Sequence, residues 1–93
     1  MEKILLYKST TCTRCPIAKF ILSRVLTAKG LNYQDVVIEK DTGNDPDAMA
    51  ELLMLDSMQT PVLKAGETVV REEDALKESL VRDAVEKWMA SNA

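Results

Sequence analysis

Thr10-Thr11-Cys12-Thr13-Arg14-Cys15-Pro16 is the stretch on which the reading of this chain turns. It holds both cysteines of the chain, two residues apart. A strand-like run, Ile4 to Tyr7, ends just before it, and a long helical pattern starts immediately after. The start of a helix carries unpaired N–H groups and the positive end of the helix dipole. Both favour a thiolate, the attacking species in disulfide exchange. Cys12 is the expected thiolate, accessible near the cap. Cys15 falls about one turn inside, close enough to form a disulfide with Cys12. A Cys-x-x-Cys at such a junction in a small chain reads as a redox site.

On the N-terminal side, the unbroken apolar run within Lys3 to Lys8 suits a central strand buried on both faces. On the C-terminal side, Cys15 to Lys29 is helical. Lys19, Ser23 and Thr27 form a solvent stripe, with Arg24 beside it. The remaining face, from Ile17, Ala18 and Phe20 to Ala28, is wide and apolar, as for a helix packed hard on a sheet. Pro16 fits the first turn and Gly30 the C-terminal cap. Asn32 to Glu39 is β-branched and reads as a second strand, parallel to the first through a right-handed crossover. After a polar loop (Lys40 to Asp45), Asp45-Pro46 begins a helix to about Asp56, with Ala48, Leu52 and Leu55 facing inward. Pro61 to Lys64 and Glu67 to Val70 read as an antiparallel hairpin turning at Ala65-Gly66. Glu72 to about Ala90 is an amphipathic helix with Leu76, Leu80, Ala84 and Trp88 in line. The expected order is β-α-β-α-β-β-α, an α/β fold with a four-stranded mixed sheet flanked by three helices.

The chain has 93 residues, so one domain spanning 1–93 is expected. Its net charge of -3 and lack of a basic run argue against a nucleic-acid partner. No apolar run approaches the ~20 residues of a membrane span, and Met1 to Leu6 shows no cleavage-site pattern. A cytoplasmic monomer is expected. There thiols are kept reduced, so the Cys pair is catalytic or metal-binding rather than structural.

The residues resemble the glutaredoxin branch of the thioredoxin superfamily over essentially the whole chain. Three features carry the resemblance. Tyr7 stands five residues before Cys12, in a strand running into Thr-Thr-Cys-x-x-Cys. Thr60-Pro61-Val62-Leu63 opens the hairpin where the family has its cis-proline. Asp74 and Leu76 fall where glutaredoxins begin their last helix with an Asp-Leu element. The pattern differs in places. Arg71-Glu72 stands where the family has a Gly-Gly pair that lets the backbone approach glutathione. Ser9 replaces a lysine, with Lys8 shifted by one, and Thr13-Arg14 replaces Pro-Tyr between the cysteines. The chain therefore resembles a glutaredoxin-like or NrdH-type redoxin. This implies a thioredoxin fold and dithiol exchange with no cofactor required beyond the Cys12–Cys15 pair. Protein disulfides are the implied substrates, with ribonucleotide reductase one by analogy to NrdH-type redoxins. The reductant stays open between glutathione and a thioredoxin reductase.

The expected substrate-binding residues are Lys8, Thr13, Arg14, Thr60, Pro61 and Asp74. Lys8 and Arg14 either add positive potential beside the thiolate or are solvated surface charges. On pattern alone Pro61 is either a cis-proline facing the Cys pair or a trans-proline opening an edge strand; the resemblance implies cis. Asp74 is either a helix cap or a contact to a thiol tripeptide. Tyr7 reads as core that could border the site, and Trp88 as packing. The alternative from another class is a metal or iron–sulfur protein. A Cys-x-x-Cys is half of a tetrahedral site; with no His and no further Cys, one chain would complete it with carboxylates or external thiols, or a thiol-bridged dimer would supply four cysteines.

Overall fold

The computed structural model describes residues 2–91. Within them, four strands form one mixed sheet in the order β2-β1-β3-β4, consistent with a thioredoxin-like fold. Strand β1 (Ile4–Lys8) runs into the Cys loop and helix α1 (Cys15–Ala28). A short helix α2 (Tyr33–Val36) leads to β2 (Val37–Asp41), followed by α3 (Pro46–Met54). The hairpin β3 (Val62–Ala65) and β4 (Thr68–Arg71) leads through a 3₁₀ segment, Glu72–Leu76, to α4 (Glu78–Ser91). β1 pairs parallel with β2 and antiparallel with β3, and β3 pairs antiparallel with β4.

Side chains alternate across the sheet and divide the core into two layers. Ile4, Leu6, Leu63, Ala65 and Val70 face α1 and α4, where they meet Leu22, Leu26, Val85 and Trp88. Tyr7 and Val62 face the other way and pack with Leu52 of α3, with Leu5 and Val69 alongside. The unbroken apolar run of β1 is thus explained by helices on both faces.

Four details differ from the sequence reading. Residues 32–36 are not strand: the Asn32 side chain accepts from the Gln34 N–H and caps α2, whose Val36 is buried in the larger core layer. The hairpin turns at Gly66-Glu67 rather than Ala65-Gly66. Ala65 pairs with Thr68 and is buried, and only Gly66, at φ 63°, takes the left-handed conformation that glycine tolerates. The last helix starts at Glu78, after the 3₁₀ turn. Its buried stripe is Val81, Ala84, Val85 and Trp88, leaving Leu80 40% exposed. Finally, α1 buries a narrower face than its composition suggests, with Ile17 51% and Phe20 61% exposed.

Asp45 behaves as the sequence implies, accepting from the Asp47 N–H with Pro46 in the first turn of α3. Asp45→Ala should lower stability by about 1 kcal/mol, read as a lower urea midpoint at unchanged slope.

Strand register determines where the site forms. Parallel pairing of Lys8 with Asp41 brings Thr42 to the end of β1 from which the Cys loop departs. There Thr42 donates both its backbone N–H and its hydroxyl to the Lys8 carbonyl. Antiparallel pairing of Tyr7 with Val62 delivers Thr60-Pro61 to the same end, and pairing of Val62 with Arg71 delivers Glu72. Segments far apart in sequence therefore converge on the Cys loop.

Candidate active site

Cys12 and Cys15 form a disulfide across the start of α1, with Cα atoms 5.5 Å apart. The cap residue of α1, Arg14, makes no side-chain capping bond. The unpaired donors of the first turn are met in another way. Pro16 has no N–H, Ile17 donates to the Arg14 carbonyl, and the Cys15 N–H donates to Cys12 Sγ at 3.1 Å. A sulfur thus sits where a capping oxygen usually does. The Cys15 N–H lies at the positive end of the helix dipole. The two sulfurs are unequal in access: Cys12 is half-buried, whereas Cys15 is 5% exposed. Cys12 is the more accessible of the two from outside.

Thr60 forms the opposite wall. Its carbonyl oxygen lies 3.5 Å from Cys12 Sγ and accepts from Arg14 Nη2 at 3.2 Å. The Thr60–Pro61 bond is cis, and Pro61 is fully buried ahead of a strand that is central rather than at the edge. Its carbonyl accepts from the Glu72 N–H at 2.7 Å. Glu72 itself adopts φ 50°, a left-handed conformation at a residue that is not glycine. The Arg71 side chain turns away, holding the Leu55 carbonyl through Nε and Nη2.

Two cavities of about 320 Å³ each flank the disulfide. One, on the Thr60 side, is a groove lined by hydroxyl residues together with Arg14 and an exposed methionine, Met58. The other, on the α1 side, reaches both cysteines together with Lys8, Lys19 and Glu39. A larger cavity of about 560 Å³ between α1 and α4 reaches neither cysteine. Among its charged lining groups, Glu78 pairs with both Arg24 and Arg82.

Lys8 is not simply solvated. It pairs with Glu39 at 3.1 Å, while Lys19 reaches the other carboxylate oxygen at 3.0 Å and Tyr33 donates to that same oxygen at 2.9 Å. Burial on its own raises the Glu39 pKa. The bonds from Lys19, Lys8 and Tyr33, with the Lys19 charge, outweigh it and bring the value from 4.5 down to about 2. A lowered carboxylate pKa contributes stability that is present above the unfolded value and is lost as pH falls toward 2. Glu39→Gln should therefore unfold at lower urea than the parent at neutral pH, with the gap closing between about pH 4.5 and pH 2. A gap that persists unchanged at pH 2 would sink this account of Glu39.

The structure thus gathers Lys8, Thr13, Arg14 and Thr60 around the Cys pair. Asp74 lines neither flanking cavity and pairs with Lys77 at 3.3 Å. Tyr7 is core: its ring is buried and its hydroxyl donates to Glu51 at 2.8 Å. Sequence reasoning missed Thr42, Met58, Lys19 and Glu39 as neighbours of the cysteines. The one available signal was Glu39 itself, a charged residue two positions after inward-facing Val37 and hence on the same face of the strand. Among the described residues no group of three or more Cys, Asp and Glu is placed to hold a metal ion. No helix among them is long and apolar enough to cross a membrane. No protein-family model matches the chain, and no curated protein matches it.

Proposed function

We propose that this chain is a glutaredoxin-like thiol–disulfide oxidoreductase that reduces protein disulfides through Cys12 and Cys15. The observation that carries this reading is the pairing of an accessible Cys12 sulfur, held by the Cys15 N–H at a helix start, with a buried Cys15 beside it. That asymmetry assigns the two steps. Cys12 thiolate attacks one sulfur of the substrate disulfide, forming a mixed disulfide and expelling the first substrate thiolate. Cys15 then loses its proton and attacks Cys12 Sγ. The Cys12–Cys15 disulfide forms, the second substrate thiolate leaves, and two electrons have passed to the substrate. Thr60, whose carbonyl faces Cys12 Sγ, offers a backbone contact to an extended substrate chain. Both cysteines come from one chain, so the cycle needs no second copy.

For the return step we favour a protein dithiol of the thioredoxin-reductase kind over glutathione. The support is Glu72, which puts a side chain where a glycine would leave the backbone bare to a small peptide.

Mixing the fully reduced protein with a disulfide-closed peptide tests the reading. Each peptide disulfide lost should yield one Cys12–Cys15 disulfide, counted by thiol alkylation and mass measurement. A peptide that stays oxidised while both protein thiols remain alkylatable would overturn it. Coupled turnover with glutathione and its reductase, equal to that with thioredoxin reductase, would overturn the assignment of the reductant alone.

A further inference from the structure

The groove that holds the Cys12 sulfur carries a charge pattern of its own. The hydroxyls of Ser9, Thr11, Thr13 and Thr42 leave it polar, and among the described residues Arg14 is the one charged residue lining it. Among the described residues no carboxylate lines it, on a chain whose net charge is -3. Most lysines and arginines of the protein pair with a carboxylate, including Lys8 and Lys19 on the other side of the disulfide. Arg14 has no such partner among the described residues. It donates through Nη2 to the Thr60 carbonyl, 3.2 Å away, across the groove that a substrate chain must enter. A guanidinium has five N–H donors in a planar fork, so the rest of the fork stays available for a second, bidentate acceptor. Met58, 77% exposed at the same groove, adds an apolar foothold for the flanking chain.

Building on the disulfide-exchange reading above, we propose that Arg14 makes this site selective for protein disulfides in which an Asp or Glu flanks the attacked cysteine. The substrate carboxylate takes the open edge of the guanidinium while its neighbouring sulfur meets Cys12. The pair orients the substrate and adds no covalent step; electrons and leaving thiolates are those already described. Arg14 is held against Thr60 in advance, so little side-chain freedom remains to be lost when the carboxylate arrives. An exposed pair of this kind is modest in energy and weakens with salt.

The test uses two peptides of the same sequence, each closed by one internal disulfide, with Glu or with Lys flanking one cysteine. Each kcat/KM is divided by the rate with dithiothreitol, which removes the intrinsic reactivity of the peptide. The wild-type protein should prefer the Glu peptide by roughly fivefold at low salt, and less at high salt. Arg14→Gln should bring the ratio to about one, and Arg14→Glu should reverse it, with folding of both checked by circular dichroism. A change in thiolate reactivity alone would slow both peptides equally and leave the ratio unmoved. A wild-type ratio of one, or a ratio that survives Arg14→Gln, overturns the inference while leaving disulfide exchange intact. Failure of the wild type to reduce either peptide overturns the exchange reading and this inference with it.

Discussion

Cys12→Ser should reduce disulfide turnover to the uncatalysed background, whereas Cys15→Ser should accumulate a covalent protein–substrate adduct. The two outcomes differ because the two sulfurs differ in access. Cys12 Sγ is half-buried at the mouth of a groove and receives the Cys15 N–H at 3.1 Å. A serine hydroxyl at that position stays protonated and cannot act as the thiolate does, so no mixed disulfide forms. In Cys15→Ser the first attack still proceeds. The adduct persists because the buried group that should attack Cys12 is no longer a thiol. Mass measurement under non-reducing conditions reads both results. Retained turnover in Cys12→Ser, or no adduct in Cys15→Ser, would show the assignment of the two roles to be wrong.

The largest expected effect on stability lies far from the disulfide. Trp88 is 2% exposed in the larger core layer, its ring lies over the hairpin turn at Gly66, and its Nε1–H donates to the Glu2 carbonyl at 2.9 Å. It therefore ties α4 to the hairpin turn and to the chain just before β1. Trp88→Ala removes that volume from a close-packed layer and should cost about 3–5 kcal/mol. Small domains have a total stability of only about 5–15 kcal/mol, so the variant should melt roughly 20 °C lower and be partly unfolded at moderate urea. Trp88→Phe keeps most of the ring and loses the bond to Glu2, and should cost clearly less. Equal losses in the two variants would place the effect in the hydrogen bond rather than in packing. Trp88 is the only tryptophan, so circular dichroism rather than fluorescence has to follow the transition.

Most of the architecture was legible because the periodicities are strong. The apolar run of Ile4 to Tyr7 states that both faces are covered, and Asp45-Pro46 announces a helix by its capping chemistry. What misled was local pattern without its neighbours. Tyr33 to Val36 begins a β-branched segment, yet Asn32 caps a helical turn there and Val36 turns into the core. Ile17 and Phe20 look like core by composition. α1 sits over the sheet and beside α4, however, and one helix can bury only the stripe that faces both. Ala65 reads as a turn residue next to glycine, but its alternation with Leu63 keeps it in the strand.

The sequence alone determined where the two sulfurs of the site sit. Two cysteines one helical turn apart, at the point where a strand gives way to a helix, are placed to close a disulfide, with the first the more accessible. That information is local, spread over seven consecutive residues, and local geometry follows from local sequence. The surroundings of the pair were decided only by the tertiary structure. Thr60 lies opposite Cys12 because Tyr7 pairs with Val62, and Thr42 borders the groove because Lys8 pairs with Asp41. Glu39 captures Lys8 and Lys19, while Arg14 is left without a carboxylate among the described residues. Glu39, Thr42 and Thr60 all come from segments far from the cysteines in sequence, and strand register is set by burial of whole faces rather than by any motif. The pairing of the two sulfurs is thus written in the Cys-x-x-Cys itself, whereas the charge around it is a property of the folded sheet.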